Sequence, residues 1–130
     1  MALVSPQLRT YYARIAVADV NTGVLAVPRA PGRIYTVVDG WMRAIGGAAG
    51  THTSIDVTDD TTGTVAMSFE QAGLTQNTVL RAGATNTTCT YLNTALAQGE
   101  AIKVANVGTA VDTATHIDVC IHYLVTSVQA

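Results

Sequence analysis

The sequence predicts an all-β fold, an antiparallel β-sandwich of about eight strands with jelly-roll-like connections. Three observations carry that expectation. Short runs of alternating apolar and polar residues recur along the chain, separated by Gly, Pro, Asn and Asp turn chemistry. The apolar residues are mostly Ala and Val, and Thr is abundant, which suits half-buried pleated strands. No segment carries the apolar spacing of a long helix.

Taken in order, residues 1–9 lack apolar periodicity and contain Pro6, so they are expected to be an extended N-terminal arm, with the sandwich domain spanning 10–130. "TYYARIAVA" (10–18) sets Tyr11, Ala13, Ile15 and Val17 against Tyr12, Arg14, Ala16 and Ala18, a strand pattern. "DVNTG" (19–23) reads as a turn, Val24–Val27 as a short strand, and "PRAPG" (28–32) as loop. In "RIYTVVDGWMRAI", Ile34, Thr36 and Val38 oppose Tyr35, Val37 and Asp39, and the phase changes around Gly40, where a bulge or bend is expected. "GGAAG" (46–50) is loop. Ser54–Thr58 and Thr64–Phe69 flank a turn through Asp59–Gly63, a hairpin, and Glu70–Leu74 is expected to be a helical turn. "TNTTCTYL" (85–92), Ala101–Val107 and residues 116–126 complete the strands.

The last of these, "HIDVCIHYLV" (116–125), alternates cleanly. Ile117, Val119, Ile121, Tyr123 and Val125 share one face, and His116, Asp118, Cys120 and His122 share the other. The odd-numbered set is expected to face the core.

With 130 residues the chain is long enough for a single domain to bury a core without a metal or disulfide. Charged residues are 12% of the sequence, about half the usual share, and the one lysine is Lys103. Sparse charge suits a surface hidden against neighbours better than one fully solvated, so a homo-oligomer is expected, a trimer before a dimer. A net charge of −2 with no basic run lacks the electrostatic footprint of a nucleic-acid binder. No apolar stretch approaches the roughly 20 residues of a membrane helix. "MALVSPQLRTYY" lacks the charge and apolar core of a secretory signal, so a cytosolic origin is expected, with Cys89 and Cys120 as reduced thiols.

Several residue groups invite chemical readings. His116 with Cys120, or Cys120 with His122, offers two zinc ligands from one strand, and His52 or Asp56 is the candidate third. The spacing matches no established ligand motif and no glutamate base lies nearby, so the expectation is no metal, no cofactor and no catalysis. Asp56, Asp59 and Asp60 are candidate calcium ligands, but Asp and Thr at a hairpin tip are also ordinary turn formers. Ser54, His116 and Asp112 form a triad on paper, without the nucleophile-elbow sequence. "NTT" (86–88) fits a glycosylation acceptor, relevant only in a secretory pathway. Trp41 with Tyr11, Tyr12, Tyr35, Tyr91 and Tyr123 offers a sugar-stacking platform, although Tyr35 and Trp41 suit core or interface anchors better. Arg33 and Arg43 are candidates to pair with Asp39 or with a neighbouring subunit.

The stretches "GRIYTVVDGWMRAIGGAAG" and "GEAIKVANVGTAVDTATHIDVCIHYLV" resemble small decoration, cement or head-stabilising proteins of tailed-bacteriophage capsids. The resemblance lies in Gly/Ala/Thr-rich strands, an extended N-terminal arm, a "VDGW" strand and a terminal "H-x-D-V-x-I-H-Y" strand. It implies a structural virion protein, assembled in the host cytoplasm, that sits as an oligomer on the capsid surface and cements neighbouring major capsid subunits. Residues Leu3, Val4, Pro6, Leu8, Tyr11 and Tyr12 of the arm and its continuation are then expected to bind the partner, ordering on contact. The alternative is a receptor- or carbohydrate-binding β-sandwich module, as at a fibre tip, which would expose Trp41 or Tyr35 in a pocket.

Overall fold

The alternating segments assemble into two antiparallel sheets around one apolar core. The computed structural model describes residues 2–3, 6–50, 53–82, 89–91 and 95–129. Its strands are β1 (Ala2–Leu3), β2 (Gln7–Ala16), β3 (Val24–Val27), β4 (Arg33–Ile45), β5 (Ser54–Asp59), β6 (Val65–Glu70), β7 (Leu80–Arg81), β8 (Cys89–Tyr91), β9 (Ile102–Val107) and β10 (His116–Gln129). In the first sheet β10 lies between β2 and β4, β7 adds to β4, and β1 pairs with the end of β10 beyond the reach of β2. The second sheet runs β3-β9-β5-β6-β8. The all-β sandwich is therefore observed.

The expected inward face of β10 is the buried one. Ile117, Val119 and Ile121 have no exposure, and Tyr123 and Val125 are buried beside them. Each such side chain contributes about 1.5–3 kcal/mol through removal from water. Opposite them the second sheet supplies Ile55, Val57, Met67, Phe69, Ile102 and Val104. Tyr35 packs edge-on to Tyr123 with centroids 5.5 Å apart, and its hydroxyl donates to the Pro28 carbonyl at 3.0 Å. Tyr35 is thus a core anchor.

The phase change in β4 is a bulge. His122 faces Asp39 while Tyr123 faces Val37, which leaves Val38 as the extra residue. Before it Tyr35 and Val37 point inward; after it Met42 and Ala44 do. Gly40 sits where the strand passes close to its neighbours. A Cβ there would stand 2.6 Å from Met67 Cε and 2.8 Å from the Cys120 carbonyl oxygen.

Three segments depart from the sequence reading. "DVNTG" is not a simple turn: Val17–Thr22 forms a short helix, α1, that buries Val20 and ends at Gly23, whose N–H donates to the Asp19 carbonyl at 2.8 Å. The strand before it accordingly stops at Ala16 rather than at residue 18. At its other end β2 starts at Gln7, which pairs with Val125, so residues 7–9 belong to the chain's own sheet rather than to the arm. Residues 71–73 form the expected helical turn, a 3-10 turn.

Candidate functional site

The outer faces of the two sheets differ in chemistry. On the second sheet, cross-strand register places Ser54 beside Val107, Asp56 between Ala105 and Ser68, and Thr58 beside Lys103. Asp56 is buried there and accepts hydroxyl bonds from Ser54 and Ser68, each at 2.7 Å. This face is small and hydroxyl-rich.

The outer face of the first sheet is aromatic and arginine-rich. Its rows follow from the register of β2, β10, β4 and β7: Leu8, Leu124 and Thr36; Thr10, His122 and Asp39; Tyr12, Cys120, Trp41 and Arg81; Arg14, Asp118 and Arg43; Ala16, His116 and Ile45. Leu8 is 65% exposed and Tyr12 55%. The Tyr12 and Trp41 rings lie 5.8 Å apart across the row, above the buried Cys120. Trp41 also carries the Arg43 guanidinium 5.6 Å from its ring centroid, a cation–π contact.

The next row holds the buried charge of this face. Asp118 has no exposure although it points away from the core, because two guanidinium groups roof it. Arg14 donates from Nε to Oδ1 at 2.7 Å and from Nη2 to Oδ2 at 3.1 Å. Arg43 places Nε and Nη2 on Oδ2 at 3.1 and 2.7 Å. The Arg14 hydrogen bonds, and then those of Arg43, hold the Asp118 carboxyl below the ordinary carboxylate range against the effect of burial. Two cations on one anion leave the cluster with a net positive charge, held by hydrogen bonds to both carboxylate oxygens.

The zinc and calcium readings meet these same partners. Asp118 is occupied by arginine. His122 is held by Thr10 at 2.9 Å, with Cys120 Sγ 3.7 Å from its Nε2, and His116 Nδ1 lies 3.1 Å from the Thr115 hydroxyl. Burial, and then the Asp39 carboxylate, push the Cys120 thiol up, which disfavours the thiolate that binds metal. Asp56 lies in the other sheet, and His52 lies outside the described residues. No group of three His, Cys, Asp or Glu side chains converges among the described residues. Asp59 instead ties the hairpin tip: its Oδ1 accepts the N–H groups of Thr61, Thr62 and Gly63 at 3.2, 2.7 and 2.8 Å. Asp60 pairs with Arg29 at 2.5 Å and accepts the Ala101 N–H at 3.2 Å. The Ser54 hydroxyl goes to Asp56, on a different sheet from His116, so the paper triad is not assembled.

Of the residues expected to bind a partner, Leu8 and Tyr12 stand exposed on the aromatic face and Pro6 is exposed just before β2. Tyr11 turns to the opposite side and packs against the core. Leu3 is in β1, its side chain outside the described set, and Val4 lies outside the described residues, as do the 86–88 acceptor sequence and the side chains of Tyr91 and Cys89. Arg43 pairs with Asp118, not Asp39, whose Oδ1 accepts the Gly40 N–H. The Arg14–Asp118–Arg43 row was missed because it needs the register of three distant strands. The available signal was phase: Arg14 shares the strand face of Tyr12, and Arg43 that of Trp41.

No protein-family model matches the chain, and no curated protein is similar enough in sequence to count as a relative.

Proposed function

We propose that the protein is a structural virion protein of a tailed bacteriophage, a decoration module that binds the outer surface of the capsid and cements neighbouring major capsid subunits. The observation that carries this reading is the aromatic face: Leu8, Tyr12, Trp41 and Leu124 lie across one sheet, beside a hydrogen-bonded Arg–Asp–Arg cluster. Aromatic residues and arginine are the side chains enriched where proteins bind proteins. Low overall charge and sparse lysine fit a chain that spends its life against neighbours. The strand order also supports a jelly roll, since β2-β10-β4-β7 against β3-β9-β5-β6 is the arrangement that two nested Greek keys produce.

In this reading Leu8 and Tyr12 bind the partner directly, the segment containing Leu3, Val4 and Pro6 adds a strap, and the module acts as a homo-oligomer, a trimer before a dimer, whose many copies sum weak contacts over a lattice. Co-sedimentation with shells of major capsid protein tests it. The wild type should pellet with the shells, and Trp41→Ala together with Tyr12→Ala should release it while the far-UV dichroism remains that of a β protein. Absence of binding to shells by the folded wild type would overturn the reading.

One feature favours the carbohydrate-binding alternative. The tilted Tyr12–Trp41 pair presents ring area of the kind sugars stack on. Quenching of Trp41 fluorescence by a glycan panel, without shell binding, would favour that reading.

A further inference from the structure

The direction of the backbone groups in the first sheet can be read from the hydrogen bonds at its far side. The carbonyls of Arg33, Tyr35, Gly40 and Ala44 point away from β10, accepting from Gly99, Leu96, Ala82 and Asn77 at 2.8 Å each. In an antiparallel ladder the N–H and C=O of one residue point to the same side, and the next residue's point to the other. The residues of β4 bonded to β10 are therefore Ile34, Thr36, Asp39, Trp41, Arg43 and Ile45. Their partners are the even-numbered residues of β10. The odd-numbered residues of β10 then bond to β2, and they pair with odd-numbered residues there, Ile15 with Ile117 through Gln7 with Val125. The Val17 N–H, donated to the Thr115 carbonyl at 3.1 Å, continues the same phase.

The consequence falls on the even-numbered residues of β2. Leu8, Thr10, Tyr12, Arg14 and Ala16 aim their N–H and C=O groups off the edge of the sheet, where no described strand pairs with them. The edge is 10 residues long, its register with β10 is unbroken, and it contains no proline. Bulges, prolines and short length are among the devices that keep such an edge from pairing, and this one has none of them; its charges are two arginines, Arg9 and Arg14. Among the described residues it also carries the two most exposed large apolar side chains, Leu8 and Tyr12.

We propose that β2 pairs antiparallel with β2 of a second copy of this chain, across a two-fold axis at Tyr12, joining two first sheets into one continuous sheet. A register centred on Tyr12 sets Leu8 opposite Ala16, Thr10 opposite Arg14, and Tyr12 opposite Tyr12 of the other copy. Every outward-pointing residue then meets another outward-pointing residue, and each such pair exchanges two N–H···O bonds. On the other face Arg9 falls opposite Ile15 and Tyr11 opposite Ala13, so neither Arg9 nor Arg14 meets a like charge. An isologous pairing of this kind closes on itself, so it gives a dimer, the second of the two oligomeric states named in the proposed function. It stands whether or not the dimer binds a capsid.

Residue-resolved amide exchange by NMR, with sedimentation on the same samples, tests the pairing. The odd-numbered amides of β2 should be protected at all concentrations. The amides of Thr10, Tyr12 and Arg14 should be protected in the dimer and lose protection on dilution as the mass halves. Thr10→Pro removes an outward N–H without touching the bonds to β10, and should yield a folded monomer. Should that variant not fold, Tyr12→Lys sets lysine against lysine at the axis: it should be monomeric alone and form a heterodimer when mixed with Tyr12→Glu. A wild type that stays monomeric, or a dimer in which the Thr10, Tyr12 and Arg14 amides exchange freely, would overturn the proposal. So would protection of those amides that arises only when capsid subunits are added, since the edge would then belong to a foreign strand.

Discussion

Arg14 Nε lies 2.7 Å from Asp118 Oδ1, across neighbouring strands at opposite ends of the sequence, and the carboxylate it grips has no contact with solvent. With Arg43 on the other oxygen, the two guanidiniums both neutralise and cover the anion. Removing the shared carboxylate leaves both arginines without their partner. Asp118→Ala should therefore destabilise the fold by about 2–4 kcal/mol, at the lower end because Arg14 remains half in solvent. Replacing all three by apolar residues of similar size should cost much less, since no charge is then stranded. Urea unfolding of both variants checks this, and an Asp118→Ala midpoint equal to that of the wild type would contradict it.

Acid should weaken the fold in a defined window. Asp60 is opposed by its own burial, but the Arg29 guanidinium and the Ala101 amide, both donating to its carboxylate, lower its pKa to about 2. Asp59, despite burial, is held low by Thr62 and the Gly63 amide, and Asp118 by Arg14 and Arg43. Each folded pKa lies below the unfolded value, so the unfolded chain takes up protons first as pH falls. Stability from these groups is complete above about pH 4 to 5, and is lost as pH falls towards 2. The thermal midpoint should be insensitive to these carboxylates between neutral pH and about 5, and drop steeply below about 4. A midpoint unchanged on acidification to pH 2 would remove the argument.

Gly40 is required by crowding rather than by backbone torsion. Gly40→Ala drives a methyl against Met67 Cε and the Cys120 carbonyl, and should cost about 1–3 kcal/mol. Shortening Met67 to Ala in the same chain relieves only the side-chain half of the clash. The double variant should not recover wild-type stability in chemical denaturation, because the carbonyl cannot withdraw without disturbing the β10 ladder.

What was legible in the sequence was what period two can encode. The inward set of β10, the bulge near Gly40 and the Asp59–Gly63 hairpin all rest on local alternation or local turn chemistry. α1 was not legible because six residues show little helical period, and its one buried residue, Val20, is ambiguous alone. Residues 7–9 carry no apolar pattern because edge strand β2 is exposed there on both faces, so the strand leaves no trace in hydropathy. The buried state of Asp118 depends on Arg14 and Arg43 arriving beside it, and register between distant strands is a tertiary property.

The polar face of "HIDVCIHYLV" supports a last expectation. A shared face brings His116, Asp118, Cys120 and His122 into one orientation, but each already has a partner: Thr115, the two arginines, His122 and Thr10. A catalytic zinc needs three protein ligands and an outer shell to orient them. Here the thiol is held protonated by burial, and the carboxylate is held by arginine. Elemental analysis of untagged protein should therefore find no stoichiometric zinc. Gln at both His116 and His122 keeps hydrogen-bonding capacity without a metal-binding ring, and should leave the thermal midpoint within a few degrees of wild type. On the other face of the same strand, Val119→Asp buries a carboxylate in the apolar core, and should cost roughly 3–5 kcal/mol. One tightly held metal per chain, or unfolding on addition of a chelator, would reverse the assignment of the polar face. A well-folded Val119→Asp variant would reverse that of the apolar one.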